Sequence, residues 1–234
     1  INADSMQVYK EFSILSSRPD NKETKKAKHH LYGIISVKKH FSAGNWLKLA
    51  KKKINLCYKF KKVPIIVGGT GLYFNTITKG ISKIPSIDSQ TRIKVRNLFK
   101  KLGYKEFYKK LLNLDPKVKS KILPSDSQRS QRAYVVILKT KKSLFDWTAD
   151  TKSDFINFEI SKIYIDIPRD ELLKKIYLRT ELMFKKKCIK EVKNFNSLKL
   201  KDSLSANKLI GVQEINAYLK GSSSLDQCKE LINI

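Results

Sequence analysis

An α/β core interrupted by a helical insertion is the architecture predicted by this 234-residue sequence, and three observations carry the prediction. Val63-Pro64-Ile65-Ile66-Val67 is a short β-branched run between KFKK and Gly68-Gly69, as expected of a buried parallel strand. Lys162-Ile163-Tyr164-Ile165-Asp166-Ile167 repeats the pattern, and Pro168 followed by Arg169-Asp170-Glu171 opens a helix with acidic residues in its first turn. Between about residues 85 and 154 strand patterns vanish and apolar residues recur at three- and four-residue intervals.

Taken in chain order, Ile1-Asn2-Ala3 reads as the end of a strand, so the sequence looks like a fragment that begins inside a fold. Gly68-Gly69-Thr70-Gly71 makes a glycine turn from the 63–67 strand into a helix starting at Leu72-Tyr73-Phe74. The insertion holds helices over residues 91–102, 104–114 and 128–138, separated by Gly103, by Asp115-Pro116 and by Pro124-Ser125-Asp126. A helix over 170–187 carries Leu172, Leu173, Ile176, Leu182 and Met183 on one face. The tail, 206–234, reads as two helices broken at Gly221-Ser222-Ser223-Ser224. The division expected is therefore 1–84 for the first part of the core, 85–154 for the insertion, and 155–234 for the rest of the core with the terminal helices.

Composition excludes several classes. With 41% apolar, 10% aromatic and 30% charged residues the chain is globular rather than disordered. It has no run of about 18 uncharged apolar residues and no signal-like leader, which predicts a soluble, cytoplasmic protein that does not engage membranes. Cys57, Cys188 and Cys228 lack CxxC spacing, and His29, His30 and His40 lack metal-ligand spacing, so neither a disulfide framework nor a zinc site is expected. The net charge of +28 favours a polyanionic partner, nucleic acid first, although lysine-biased composition alone explains a cationic surface as well. Arginine is scarce in this lysine-rich chain, so each marks a place where a planar fork for phosphate has use.

Asp4 lies just after the opening strand, where a carboxylate enters the ligand crevice of an α/β protein and serves as a general base; a helix N-cap is the local alternative. Gly68-Gly69-Thr70-Gly71 lets backbone approach an anion, or simply makes a tight turn; without a following Gly-Lys-Ser/Thr it is not a Walker A loop. Gln128-Arg129-Ser130-Gln131-Arg132 puts two guanidinium groups three residues apart beside amides that can read bases, or forms a solvated helix face. Arg179, mid-helix, requires an anion such as phosphate if it faces inward.

The order of these pieces is more specific than any one of them. The sequence resembles the tRNA dimethylallyltransferase (isopentenyl-tRNA transferase) family through Asp4-Ser5-Met6-Gln7-Val8-Tyr9, Arg18-Pro19, His29-His30-Leu31, Phe41-Ser42-Ala43-Gly44 and Val67-Gly68-Gly69-Thr70-Gly71-Leu72-Tyr73. The match continues with Arg92, Asp115-Pro116, Asp126 with Gln128-Arg129 and Arg132, Arg179, and Ile210-Gly211 near Tyr218-Leu219. The resemblance implies a P-loop NTPase-like parallel-sheet core, incomplete at its amino-terminal end, with a helical insertion. It also implies transfer of a dimethylallyl group from dimethylallyl diphosphate to the exocyclic amine of the adenosine 3′ of the anticodon, with the tRNA anticodon stem-loop as partner and a monomeric enzyme.

By the same resemblance Asp4 is the base and Arg179 receives the diphosphate. Ser5, Met6 and Gln7 border the flipped adenosine, Thr70 and Arg92 contact tRNA, and Gln128, Arg129, Ser130, Gln131 and Arg132 grip the anticodon loop. Lys208 and Gly211 belong to a further stretch of tRNA contact, where Val212 and Gln213 depart from the family's usual Tyr and basic residue. On the family pattern a strand and phosphate loop, supplying most ligands of a Mg²⁺ cofactor, would precede Ile1, and a Lys/Arg-rich segment with a Trp would follow Ile234. The stretch given is thus expected to be poorly active alone. The competing expectation is a basic, non-catalytic tRNA- or RNA-binding module. Prenylation of free adenine nucleotides is a further alternative, against which the long insertion speaks.

Overall fold

The structure, a computed structural model, describes residues 1–200 and 205–234. It consists of two compact units, one formed by residues 1–74 and 158–234 and the other by residues 75–157.

The first unit contains α1 (Asn21–Lys26), α2 (Ala43–Lys59) and the first half of α3 (Gly71–Thr78) from its amino-terminal part. Its carboxyl-terminal part supplies the helices named here, by position, α7 (Arg169–Lys185), α8 (Cys188–Asn196), α9 (Val212–Leu219) and α10 (Leu225–Asn233). Ser42 caps α2 by accepting from the Asn45 amide, and Trp46, Leu47, Ala50 and Ile54, one helical face, are buried. Phe12 packs on Phe195 of α8 with ring centroids 4.8 Å apart, tying the amino-terminal loops to the terminal helices. α7 packs on α8 and α10, where buried Thr180 donates to Asn233 Oδ1 at 2.6 Å.

The expected parallel-sheet core is not observed. Among the described residues there is no strand; pairing is limited to two isolated parallel bridges, Asn2–Val67 and Tyr9–Ile35. The two runs read as buried strands are largely solvent-facing, with Val63 84% and Ile163 89% exposed. A β-branched run becomes a buried strand only when neighbours pair with both edges and helices cover both faces, and here neither condition is met. The apolar face read for the 170–187 helix is only partly covered. Leu172, Leu173 and Leu182 of α7 are exposed, and only Thr180 and Met183 are buried, because the contacts with α8 and α10 cover just a strip of the helix.

The second unit is built on α4 (Ser89–Leu114), α5 (Ser127–Thr140) and α6 (Leu144–Ala149). Gly103, at φ 71°, bends α4 where the sequence separates two helices. Val95 and Phe107 of α4 and Val135 and Val136 of α5 share one core cluster with Ile87. Tyr108, Leu111, Val118, Ile122 and Ala133 form another. Tyr108 Oη donates to the Ile122 carbonyl at 2.7 Å, and Ser143 Oγ to buried Asp115 at 2.7 Å.

Candidate functional site

The residues singled out in the sequence fall into two groups, one in each unit. In the first unit, residues 1–3 and 65–70 run side by side and in the same direction. Val67 donates to the Ile1 carbonyl at 3.0 Å, Ala3 to the Val67 carbonyl at 2.7 Å, and Thr70 to the Ala3 carbonyl at 3.1 Å. Both segments therefore end at the same place, which brings Asp4 and Ser5 beside Gly68 and Thr70. The Ser5 amide donates to Thr70 Oγ1 at 2.9 Å. Gly68 is required by closeness: a Cβ there would stand 2.3 Å from the Ala3 carbonyl carbon and 2.7 Å from the Asp4 nitrogen.

Asp4 has its two oxygens in different situations. Oδ1 accepts from the Met6 amide at 2.7 Å and the Gln7 amide at 3.3 Å, which closes a turn; no helix follows Asp4, so it is not a helix N-cap. Oδ2 takes no part in these bonds. The carboxylate is thereby oriented through one oxygen, and the group is half-exposed. Its charge is felt nearby: burial first, then the Tyr9 and Asp4 charges, push the Tyr73 phenol up to about 12.

Sequence reasoning missed the residues that hold Asp4. Asn2, fully buried, accepts the Asp4 amide on Oδ1 at 2.8 Å and donates through Nδ2 to the carbonyls of Asp4 at 3.0 Å and Leu31 at 3.1 Å. Trp46 in turn donates its indole N–H to the Asn2 carbonyl at 2.8 Å and stacks on Tyr73 at 4.3 Å between centroids. The available signal was an amide side chain inside an otherwise apolar opening strand.

Arg179 is exposed overall and donates through Nη2 to the Leu15 carbonyl at 3.3 Å. Gln7 donates to the next two carbonyls, Ser16 at 2.9 Å and Ser17 at 3.1 Å. The turn at 15–17 thus links Gln7, which is adjacent to Asp4 through its amide, with the guanidinium of Arg179. Gly211, at φ 98° ahead of α9, is buried against this turn, where a Cβ would come 2.7 Å from Leu15 Cδ2. Lys208 is exposed, and Met6 half-buried.

In the second unit, Gln128, Arg129 and Arg132 of α5 are exposed. Asp126 caps the helix by accepting the Arg129 amide at 3.0 Å, and its other oxygen lies 3.4 Å from Arg129 Nε. Gln131 donates to the Ser127 carbonyl at 3.2 Å. Ser130 faces the core, with its hydroxyl buried and without a hydrogen-bond partner. Arg92, in the first turn of α4, donates to the Ile87 carbonyl at 3.3 Å. Partial burial first and the Arg92 charge second lower the pKa of the Arg132 guanidinium.

For the Mg²⁺ expectation, no group of three or more His, Cys, Asp and Glu side chains converges among the described residues. Asp4 has one oxygen already committed to main-chain amides. These residues do not build a Mg²⁺ site, and no chemical step is derived through that ion. No described helix is long and apolar enough to cross a membrane.

A family model described as IPP transferase matches residues 7–234. The chain belongs to the IPP transferase family. It is 51% identical over 234 residues to a tRNA dimethylallyltransferase of Pelagibacter ubique, covering all of this chain and 75% of that protein. A tRNA dimethylallyltransferase of Wolbachia pipientis from Culex pipiens is 39% identical over 233 residues, covering 99% and 76%. Among solved structures, the tRNA isopentenylpyrophosphate transferase of Bacillus halodurans superposes with a TM-score of 0.64 at 26% identity, over 99% of this chain and 72% of that one. A eukaryotic dimethylallyltransferase acting on tRNA shares the fold, with a TM-score of 0.81 at 21% identity over 99% of this chain and 59% of that one. The IPP transferase chain described here therefore spans about three quarters of the length of its bacterial relatives.

Proposed function

We propose that this chain transfers the dimethylallyl group of dimethylallyl diphosphate to the exocyclic amine of the adenosine 3′ of the anticodon in tRNA, as a monomeric cytoplasmic enzyme. The observation that carries the proposal is the placement of Asp4: a carboxylate oriented through Oδ1, with Oδ2 outside those bonds, at the common end of two parallel segments. The family and the names of its members supply the reaction class.

An adenine amine is a weak nucleophile because its lone pair is delocalised into the ring. As that nitrogen bonds to the allylic carbon, its proton passes to Asp4 Oδ2. The carbon–oxygen bond to the diphosphate breaks in the same displacement, and the bonding electrons leave with the diphosphate, whose growing charge Arg179 receives. Met6 and Gln7, fixed to Asp4 through their amides, border the base, and Ser5 and Thr70 hold one another at the mouth. The target base must leave its stack to reach a half-buried carboxylate, and on the second unit the exposed Arg92, Arg129 and Arg132 guanidinium groups with Gln128 suit single-stranded loop nucleotides.

The decisive experiment is prenyl transfer from dimethylallyl diphosphate to an anticodon stem-loop, with protein produced from its natural start. Product carrying the prenyl group on that adenosine is the expected result. Salt-sensitive stem-loop binding with no transfer would instead identify a non-catalytic RNA-binding module.

A further inference from the structure

Glu191, on α8, is 9% exposed, and its partners are all on one short loop. Oε1 accepts from the Ser13 amide at 2.6 Å, the Ser13 hydroxyl at 3.1 Å and the Ile14 amide at 2.9 Å; Oε2 accepts from the Leu15 amide at 2.9 Å. Three consecutive main-chain N–H groups thus close on one carboxylate, the concave arrangement that backbone uses to bind anions. A buried carboxylate is tolerated only when its acceptors are filled, and here four donors fill them. Packing alone would be served as well by an apolar side chain, since the neighbours of Glu191 on α8, Val192 and Phe195, are buried without any such bonds to make.

The carbonyls of the same loop face a different task. Leu15 receives Arg179 Nη2 at 3.3 Å, and Ser16 and Ser17 receive Gln7 Nε2 at 2.9 and 3.1 Å. One loop is therefore held through its amides by Glu191 and holds, through its carbonyls, the guanidinium assigned to the diphosphate and the amide adjoining Asp4. We infer that Glu191 is a positioning residue for prenyl transfer: it sets the 13–17 loop so that the Arg179 guanidinium stands where the diphosphate leaves. The inference rests on the reading of Arg179 given above.

The test is steady-state kinetics on protein produced from its natural start, varying dimethylallyl diphosphate and stem-loop separately. Glu191→Gln puts an amide N–H where one oxygen meets a main-chain donor. It should raise KM for the diphosphate about tenfold, with a clearly smaller rise in KM for the stem-loop, whose target base is bordered by Gln7, held by the same loop. Because Glu191 acts through Arg179, the same substitution made on top of Arg179→Ala should add almost nothing. Glu191→Asp keeps both acceptors on a shorter stem and should show a weaker effect in the same direction. Ser13→Ala, which removes only the hydroxyl bond, should show a smaller one and keeps the question answerable if both Glu191 variants misfold. Equal losses for both substrates, additivity with Arg179→Ala, or unchanged kinetics in every variant would overturn the inference. An unsubstituted protein that transfers no prenyl group would instead overturn the functional reading.

Discussion

At Asp4, one oxygen orients the side chain and the other lies outside those bonds, so substitution can test the proposed base apart from the turn. Asp4→Asn retains the Oδ1 acceptor for the Met6 and Gln7 amides and removes the base. Turnover should fall by about 10²–10⁴-fold, the usual worth of a general base, with stem-loop affinity nearly unchanged in a filter-binding assay. An equal fall in both would show that Asp4 only caps its turn. Trp46 tests the support beneath. Trp46→Phe leaves the buried Asn2 carbonyl without its indole donor and thins the stack on Tyr73, so urea unfolding should report a loss of about 2–4 kcal/mol. Asp4 was legible because a carboxylate after a strand end is a chemical signal in itself. Trp46 and Glu191 were not, since each acts on main-chain groups far away in sequence and nothing local marks those partners, and Asn2 joins Asp4, two residues on, to the distant Leu31 carbonyl.

Among the elements, the start of α4 shows how one capping residue gains a pH dependence. Asp88 accepts the Thr91 amide at 2.7 Å and lies 3.1 Å from Lys139 Nζ on α5, so it both caps one helix and pairs with the next. The Thr91 amide first, then Lys139, hold its carboxyl well below the usual carboxylate range. A depressed carboxyl stabilises the fold fully above its unfolded value near 3.8, and that contribution is lost as pH falls from there towards the folded value. Asp88→Asn should therefore flatten the acid limb of a thermal-midpoint profile below about pH 4 and leave the profile near neutrality unbent. On α5, Arg129→Ala with Arg132→Ala should weaken stem-loop binding and reduce the log–log salt slope by about one to two, with KM for the diphosphate unaltered. A slope that stays the same would remove these residues from the RNA contact. The long helices α4 and α5 were readable because their apolar residues recur at helical spacing, Gly103, lacking a Cβ, takes a positive φ between the halves of α4, and Asp126 caps α5.

Over the whole molecule, +28 acts as a field rather than as a contact, so RNA association should be fast at low salt and fall steeply as salt rises. Alkali should act on the first unit through its buried neutral acids. Burial pushes Cys188 up to about 11 and Tyr73 up to about 12, from ordinary values of 9.0 and 10.0. A raised acid contributes stability in full below its unfolded value and loses it as pH climbs to the folded one. Urea midpoints should thus decline from about pH 9 upwards, with less decline in Cys188→Ala. What the sequence by itself determined was chemical and local: the Asp4 motif, the arginines, the glycine turn, the helical spacing of the insertion and, through their order, the family. Tertiary structure decided the rest. Whether 63–67 and 162–167 become sheet depends on neighbours at their edges, and which residues steady Asp4 and Arg179 depends on main-chain donors and acceptors brought together from distant parts of the chain.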